Sequence, residues 1–370
     1  MRNLTNLERD SATFAQRSSV GEIQTMPSDA RNITIVSDAW FPQINGVVRV
    51  LSSVRQELEA MGHRIEIIAP DRFRTFPCPG YPEIPLSVLP KKIMSELLES
   101  GTADAIHIAT EGPLGISART WCRRNNVPFT SAYHTKFPEY IHARTRIPLN
   151  LLYLGMRRFH APSTSVLAPS ASVYHELSAR GFRNVHKWSH GVDNTVFRPR
   201  GKDFLDLPRP ILMFIGRLAI EKNVRAFLEM DFPGSKVVVG DGPQRKELMR
   251  DFPGVEFRIA QGDEELSRYF SAADVFVFPS RTDTFGLTML EALSCGIPVA
   301  AFPVTGPLDV LGLKAAGETE AGCLNENLVT AVERALSKSP EACRRFAAQF
   351  SWRRVADDFL AQLALFDTKR

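Results

Sequence analysis

The sequence has few of the features that mark several large classes of protein. Its 370 residues include five cysteines, an odd number without a Cys-x-x-Cys pair, so neither a disulfide framework nor a zinc site is expected. No apolar run approaches the roughly 20 residues that cross a bilayer, and the N-terminus lacks the apolar stretch of a secretory signal. We therefore expect a chain of the reducing cytoplasm, either soluble or peripheral on the inner face of the cell membrane.

Two motifs that would indicate a cofactor are also missing. A nicotinamide-dependent oxidoreductase would carry Gly-x-Gly-x-x-Gly after its first strand, and residues 38–48 do not. No Asp-x-Asp pair follows a strand, a position at which two carboxylates could hold a catalytic divalent ion. We expect no metal and no other cofactor.

The composition is that of an ordinary globular protein, with 44% apolar and 23% charged residues. The net charge of +4 is too small to indicate a nucleic-acid partner. It is uneven, however, because residues 101–200 hold 13 basic and 5 acidic side chains. This excess favours an anionic membrane surface or an acidic substrate, although an ordinary solvated surface explains it equally well.

The length predicts two domains, because a single core seldom grows to this size. Residues 1–30 are polar and without periodicity, and we expect a disordered extension there. We assign 31–198 to a first domain, 199–350 to a second and 351–370 to a final helix. The proline-rich stretch 196–210 indicates the linker between the domains.

Short apolar runs alternate with helix-length segments in both domains. In the first domain the predicted strands are 33–36, 65–68, 105–108, 129–132 and 165–168. In the second they are 211–215, 236–239, 255–259, 275–278 and 299–301. This alternation predicts an α/β protein with two doubly wound, Rossmann-like parallel sheets. Ligands of such sheets bind at the carboxyl ends of the strands, so loops 37–47, 216–223 and 279–287 should face the cleft between domains.

Loop 216–223 carries Arg217 and Lys222, two cations at the end of a strand. Together they can neutralise the charge that develops on a leaving diphosphate, without a metal. Taken alone, the pair is also compatible with a surface salt-bridge cluster. The following Gly240-Asp241-Gly242-Pro243 allows a close backbone approach to a ligand and the start of a helix at Pro243, although many such segments are only turns.

Segment 279–292 is the most informative part of the sequence. Its residues Phe285, Gly286, Leu287 and Thr288 are predicted to open a helix whose free amide groups can hold phosphate oxygens. Asp283 and Glu291 lie eight residues apart, one in the loop and one two turns into the helix. They can touch opposite ends of one extended ligand, the hydroxyls of a sugar and those of a ribose.

The order Gly-Arg-Leu-x-x-Glu-Lys, Gly-Asp-Gly-Pro and acid-x-Phe-Gly-Leu-x-x-x-Glu-Ala resembles family 4 of the retaining glycosyltransferases, and the resemblance covers nearly all of residues 32–366. It implies the GT-B fold, with two Rossmann-like domains facing across a cleft, and a nucleotide-sugar donor. It implies that Arg217 and Lys222 grip the diphosphate and that Glu291 binds the ribose. The family usually has Glu where this chain has Asp283, which is one methylene shorter.

The same resemblance extends to residues outside these motifs. It implies that His134 lies beside the donor sugar and that Gly46 lets the backbone approach the diphosphate, although a lone histidine after a strand is more often an ordinary loop residue. The nucleotide base would contact main chain near Arg258 and Ile259. Residues 352–366 resemble the family's last helix, which returns to the first domain.

The acceptor side is predicted from loop 75–90, which contains five prolines and resembles the loop of sulfoquinovosyl and glucosyl transferases that act on diacylglycerol. Glu111 and Tyr133 occupy matching places, which favours a lipid acceptor. Segment 144–160 mixes apolar and basic residues. It is typical either of docking on anionic lipid or of core packing with arginine side chains that extend to solvent.

Three functions remain open from the sequence. The first is transfer of an α-linked glucose or glucuronate from a UDP-sugar to a lipid such as diacylglycerol. The second is a mannosyltransferase that uses GDP-mannose on a lipid-linked or polysaccharide acceptor, because residues 302–310 resemble a subgroup containing such enzymes. The third is a non-catalytic nucleotide-sugar-binding protein, suggested by Asp283.

Overall fold

The structure is a computed structural model that describes residues 30–43, 45–78 and 81–366. All of the predicted disordered extension except Ala30 lies outside these residues. No helix within the described residues is both long and apolar enough to cross a membrane.

The first sheet has six strands, and every neighbouring pair is parallel. The strands, in chain order, are β1 (Asn32–Val36), β2 (Arg64–Ile68), β5 (Ala105–Ile108), β6 (Thr130–Ala132), β7 (Val166–Ala168) and β8 (Val185–Lys187). Their order across the sheet is β2-β1-β5-β6-β7-β8. They are mostly buried apolar residues, as expected for a parallel sheet covered on both faces.

The second sheet has seven strands in the order β11-β10-β9-β12-β13-β15-β14. Only the last pair, β14 with β15, is antiparallel. The strands are β9 (Ile211–Ile215), β10 (Ser235–Val239), β11 (Glu256–Arg258), β12 (Val275–Phe278), β13 (Val299–Ala301), β14 (Gly317–Thr319) and β15 (Gly322–Leu324). Two doubly wound sheets are therefore present, and the predicted fold class is confirmed.

Helices cover both faces of each sheet. Those that follow strands of the first sheet are α1 (Gly46–Ala60), α2 (Lys91–Ser100), α3 (Pro113–Arg124), α4 (Phe137–Thr145), α5 (Leu149–His160) and α6 (Ala171–Ala179). Those of the second are α7 (Val224–Leu228), α8 (Arg245–Asp251), α9 (Asp263–Ala272), α10 (Leu287–Ser294), α11 (Thr305–Leu311), α12 (Leu328–Ala335) and α13 (Pro340–Ala347). The last helix is α14 (Trp352–Gln362).

Helix α14 returns to the first sheet and packs on α1. Its buried Trp352, Val355 and Phe359 join the apolar core on that side of the sheet, and Val355 accepts a hydrogen bond from the Trp188 indole. We use first lobe for the first sheet with its helices and α14, and second lobe for the second sheet with its helices.

The strand order changes direction between β1 and β5 in the first sheet and between β9 and β12 in the second. Loops that leave the carboxyl ends of these four strands diverge and open a crevice in which open α/β sheets bind ligands. The described residues of these loops are 37–43, 45, 109–112, 216–223 and 279–286. They include six of the predicted site residues: Glu111, Arg217, Lys222, Asp283, Phe285 and Gly286.

Residues 75–90 are not the loop that the prolines predicted. They form an antiparallel hairpin of β3 (Thr75–Cys78) and β4 (Tyr81–Ser87), irregular between Pro77 and Cys78. Proline removes a backbone donor and is tolerated on edge strands, and a two-stranded hairpin consists only of edges. The pairing of Pro77 with Pro85 uses this freedom.

The predicted linker is pinned to the second lobe. The carbonyl of Arg198 accepts hydrogen bonds from the hydroxyls of Ser267 and Ser271 in α9, and the guanidinium of Arg200 donates to Ser267.

Two helices begin later than the sequence predicted. Helix α8 begins at Arg245 rather than Pro243, and α10 begins at Leu287, after a left-handed Gly286.

Candidate active site

A Lys–Asp ion pair lies where the second sheet changes strand order. Lys222 ends a short 3-10 turn after β9, and Asp283 lies in the loop after β12. Nζ of Lys222 is 2.5 Å from Oδ1 of Asp283. Oδ2 of Asp283 is buried and has no hydrogen-bond partner among the described residues. Because a buried acceptor without a donor costs free energy, this oxygen is suited to receive a ligand hydroxyl.

The two loops that carry this pair are tied together by their backbones. These ties are hydrogen bonds from side chains to backbone carbonyls: Asn223 adopts a left-handed conformation with φ +51°, and Nδ2 of its side chain donates to the carbonyl of Pro279 at 3.0 Å. The hydroxyl of Ser280 donates to the carbonyl of Glu221 at 3.1 Å. Lys222 is therefore held in place on both sides. Arg217 is half-buried in the same loop, five residues earlier.

The Gly240-Asp241-Gly242 turn packs directly against the loop that carries Arg217. A Cβ added to Gly240 would lie 2.0 Å from the carbonyl oxygen of Gly216, and one added to Gly242 would lie 2.5 Å from that of Leu218. The amide of Leu218 also donates to the carbonyl of Asp241 at 2.8 Å. The two glycines thus allow close packing of two backbones, whereas the sequence suggested close approach to a ligand.

Residues 285–288 form the entry to α10. Phe285 is buried, and Gly286 has φ +95°, a left-handed conformation that favours glycine. Leu287 reaches the apolar core of the first lobe, and its Cδ1 lies 4.0 Å from a Cβ built on Gly46. Thr288 is half-buried in the first turn. The N-termini of α10 and α1, the second capped by Asn45, thus lie close together.

His134 lies at the carboxyl end of β6 and contacts the loop of the second lobe that contains Asp283. Its carbonyl accepts a hydrogen bond from the Thr284 hydroxyl at 3.1 Å. Its ring is buried and stacks on that of His190 at 6.3 Å between centroids, while His190 packs against Phe285 at 4.9 Å. The loop that contains Asp283 therefore rests on two histidines of the first lobe.

Both histidines are neutral. Burial lowers the pKa of His134 well below its ordinary value, and the neighbouring His190 and His107 lower it further. Burial also lowers the pKa of His190 to about 4. Nε2 of His134 and Nδ1 of His190 have no partner among the described residues. Each ring nitrogen can accept or donate one hydrogen bond according to its tautomer.

Glu291 lies in α10 with 4% of its surface exposed. Its Oε1 is 3.3 Å from Nε of Arg49, which belongs to α1 of the first lobe. The two terminal nitrogens of Arg49 bind the carboxylate of Asp263, at the start of α9, at 2.9 and 2.6 Å. Burial raises the pKa of Glu291, while Arg49 opposes this rise.

Three predicted donor-side residues lie outside this buried group. Arg258 and Ile259 are exposed at the end of β11, where Arg258 pairs with Glu256. Asp241 is exposed, and its carboxylate accepts from the amide of Gly242 at 2.8 Å. They lie at or just after the carboxyl ends of β10 and β11, the two outer strands at one edge of the second sheet.

The two predicted acceptor-side residues both lie beside His160 of the first lobe. Glu111 lies in the loop after β5 and pairs with Nε2 of His160 at 3.1 Å, while Nδ1 of His160 contacts the Ser131 hydroxyl at 2.8 Å. Tyr133 is 1% exposed, and its hydroxyl lies 3.4 Å from that of Tyr153 in the core of the first lobe. The side chain of Glu111 is 8% exposed, so both predicted acceptor-side groups are largely buried.

Sequence reasoning did not identify Arg49, Asp263 or His190. Arg49 is a helical arginine 214 residues away from Asp263, and no local spacing signals their contact. His190 follows a three-residue strand that was not predicted. Within the parts of the chain that the structure describes, no cluster of three or more His, Cys, Asp or Glu side chains has metal-binding geometry.

Two family models match the chain. Glycosyltransferase Family 4 matches residues 44–196, and Glycosyl transferases group 1 matches residues 209–338.

Curated relatives extend this match over most of the chain. A GDP-mannose-dependent alpha-mannosyltransferase of Mycobacterium tuberculosis is 30% identical over 89% of this chain and 95% of its own length. Sulfoquinovosyl transferase SQD2 of Arabidopsis thaliana is 30% identical over 80% of this chain and 64% of its own. Alpha-monoglucosyldiacylglycerol synthase of Streptococcus pneumoniae is 26% identical over 73% and 70%.

A solved structure shares the fold. HepE of Anabaena, in complex with UDP and glucose, superposes with a TM-score of 0.67 over 90% of this chain and 98% of its own, at 14% identity. At this identity the likeness concerns the arrangement of the two lobes alone.

Proposed function

Because the chain belongs to glycosyltransferase family 4, we propose that it transfers an α-linked glucose or glucuronate from a UDP-sugar to a lipid such as diacylglycerol. The proposed reaction retains the anomeric configuration and uses no metal. The observation that carries the proposal is the Lys222–Asp283 pair, in which Oδ2 of Asp283 has no hydrogen-bond partner within the described part of the chain.

In the proposed reaction the bond between the sugar C1 and the β-phosphate oxygen breaks, and its electron pair stays on the phosphate. Lys222 and Arg217 neutralise this charge as it develops. The acceptor hydroxyl attacks C1 from the face that the phosphate leaves, and its proton passes to the departing phosphate oxygen. No protein base is required, which suits a site whose two buried histidines have lowered pKa values and are therefore weak bases.

Sugar recognition is assigned to buried polar groups that have no hydrogen-bond partner among the residues that the structure describes. Oδ2 of Asp283 accepts a hydrogen bond from a sugar hydroxyl, and Nε2 of His134 meets a second polar group of the sugar. Glu291 binds the ribose hydroxyls from inside α10. Asp283 is shorter than glutamate by one methylene, so we expect the sugar to lie correspondingly closer to the loop.

The lipid acceptor is supported by a surface of the first lobe. Arg119 in α3 donates hydrogen bonds to the carbonyls of Arg158 and Phe159, which joins α3 to α5. Exposed apolar and basic side chains cover this region, and we call them the basic apolar face: Ile116, Phe137, Ile141, Leu151, Leu154, Arg157 and Arg158. Such a face suits an anionic membrane surface, where a diacylglycerol would be found.

A UDP-hexose and GDP-mannose are the two donors to compare. The name of the M. tuberculosis relative favours GDP-mannose as the second candidate, whereas the names of SQD2 and the S. pneumoniae relative favour a glycolipid product. Thermal stabilisation by UDP, GDP and their sugars identifies the donor, because a ligand that binds the folded state raises its melting temperature.

The activity test incubates the preferred donor with diacylglycerol vesicles and identifies the product by mass spectrometry and its anomer by NMR. We expect an α-linked glycolipid, unchanged transfer in EDTA, and a loss on the order of 10²–10³-fold in Lys222→Ala, which removes a fixed charge at the leaving group. Lys338→Ala is the matched control, since Lys338 also pairs with a carboxylate, Glu318, at 2.7 Å.

Three outcomes contradict parts of the proposal. A strict requirement for Mg²⁺ would remove the metal-independent mechanism. A β-linked product would remove retention. Donor binding without donor consumption, even with a membrane extract as acceptor, would instead support a non-catalytic binding protein.

A further inference from the structure

We propose that Arg49 of the first lobe is a positioning residue that holds Glu291 of the second lobe in its ribose-binding form. The inference rests on the proposed function in one respect, namely that Glu291 binds the ribose of the donor. It adds a residue from the opposite lobe to the nucleotide site, so that the site is complete only when the two lobes are together.

The geometry fixes Arg49 from several sides. Its terminal nitrogens form a two-pronged contact with the Asp263 carboxylate, and this leaves Nε to face Oε1 of Glu291 at 3.3 Å. The guanidinium also lies over the ring of Phe197 at 5.5 Å. Arginine is suited to this role because its planar fork can serve two carboxylates at once. Asp263 thus orients Arg49, and Arg49 orients Glu291.

The charges around Glu291 make Arg49 necessary. Asp263 and Asp193 bring further negative charge to this region, and the nearby Cys295 is an uncharged buried thiol whose pKa burial raises to about 12. Arg49 is the cation that opposes the rise in the pKa of Glu291. Although burial alone would lower the pKa of Arg49, Glu291 and Asp263 raise it, so the guanidinium stays charged.

Removal of this cation leaves a buried carboxylate beside another acid. The pKa of Glu291 then rises further, and the carboxyl takes up a proton at a higher pH than in the wild type. A protonated carboxyl accepts fewer hydrogen bonds than a carboxylate, which can accept from both ribose hydroxyls. Affinity for the nucleotide therefore falls, and it falls more as the pH is lowered.

The experiment measures calorimetric affinities for UDP, GDP and their 2′-deoxy and 3′-deoxy counterparts. We expect Arg49→Gln to bind the better nucleotide on the order of tenfold more weakly, as for the loss of one charge-assisted contact. The wild type should lose affinity when a ribose hydroxyl is removed from the nucleotide. Arg49→Gln already binds weakly and should lose little further affinity on the same removal. Such non-additivity indicates that both changes act on the same contact.

The pH dependence separates positioning from a merely structural role. As the pH is lowered from 8 to 6, the dissociation constant of Arg49→Gln divided by that of the wild type should rise. Position 291 cannot titrate in Glu291→Gln, so the ratio of its dissociation constant to that of the wild type should not change with pH. Because each variant is compared with the wild type at the same pH, titration of the nucleotide itself cancels. Arg55→Gln is the matched control, because Arg55 lies on the same helix in an exposed pair with Glu59.

A second variant guards against misfolding of Arg49→Gln. Asp263→Asn retains the Arg49 side chain and its charge and changes a side chain that is 45% exposed, yet it removes the group that orients the guanidinium. We expect a smaller loss of affinity than in Arg49→Gln and no steeper pH dependence, because loss of the Asp263 charge lowers the pKa of Glu291. The role of Arg49 would be wrong, and the proposed function would stand, if wild type and Arg49→Gln bound the nucleotides equally well and lost equal affinity on removal of a ribose hydroxyl. Tighter binding by Arg49→Gln would have the same consequence. A wild type that binds neither nucleotide would overturn the proposed function together with the role of Arg49.

Discussion

Three buried histidines make the folded state sensitive to acid. Burial lowers the pKa of His107 to about 3 and that of His190 to about 4, and it also lowers the pKa of His134. In the unfolded chain these imidazoles have ordinary pKa values near 6.5 and take up protons below that pH. The unfolded state therefore binds more protons than the folded state between about pH 7 and pH 4, and the free energy of unfolding falls as the pH is lowered.

We predict that His107→Asn reduces this sensitivity. His107 is fully buried with Nδ1 2.9 Å from the Thr130 hydroxyl, and an asparagine amide can keep that contact without titrating. Each such histidine contributes about 2 kcal/mol to the loss of stability between pH 8 and pH 5. Urea unfolding at the two pH values should show a loss smaller by that amount. The exposed His186→Asn serves as the control, and an unchanged loss in His107→Asn would refute the assignment.

At the residue scale the sequence identified groups that lie at strand ends and did not identify their partners. Lys222 and Asp283 were predicted to share one crevice because both follow parallel strands, and the structure brings them into contact. The role of Arg49 depends on two lobes packed together, and no pattern within one helix encodes that. Tyr133 shows the opposite case, since a place after a strand does not say whether the side chain faces ligand or core.

At the scale of elements, the loop that carries Asp283 is supported from below by α11. A Cβ added to Gly306, in the first turn of α11, would lie 2.7 Å from the carbonyl oxygen of Phe285 and 3.4 Å from that of Asp283. Both contacts are to backbone, which cannot rotate away as a long side chain would. The absence of a side chain at Gly306 therefore allows the backbone of residues 283–285 to pack directly against α11.

We predict that Gly306→Ala impairs transfer more than stability. The added methyl group must displace residues 283–285, and a shift of a reacting or orienting group by about 1 Å can cost up to about 10²-fold in rate. We expect a loss of tenfold or more in kcat, with a change of only a few degrees in the melting temperature. Gly254→Ala is the control, because nothing lies within 4 Å of its added Cβ. Equal activity in the two variants would contradict this prediction.

The elements themselves were predictable where burial is strong. Strands such as Ile211–Ile215 and Val275–Phe278 are buried along their whole length, so their apolar runs are unbroken. Short strands such as Val185–Lys187, with two exposed residues, lack that signal. The hairpin at residues 75–87 was missed for another reason. Proline normally argues against a strand, but this hairpin has only edge strands.

At the scale of the whole molecule, part of the excess of basic residues in 101–200 lies on one surface. The basic apolar face lies on the first lobe, and Leu151 and Leu154, on α5, are 60% and 50% exposed. Burial lowers the pKa of the adjoining Arg119, and the positive charges of Arg123 and Arg158 lower it further. Cations crowded in this way favour an anionic surface that neutralises them, and exposed leucines favour one into which they can insert.

We predict that the chain co-sediments with phosphatidylglycerol vesicles at low salt and much less with phosphatidylcholine vesicles. High salt should weaken binding, because it screens the arginines. The double variant Leu151→Ser and Leu154→Ser should bind at least tenfold more weakly, since each leucine that leaves water contributes about 1.5–3 kcal/mol. Met249→Ser, an exposed position on the second lobe, should bind as the wild type does. Equal recovery of the wild type in the pellet with and without vesicles would exclude a membrane role for this face, and transfer to a soluble acceptor would then be the reaction to pursue.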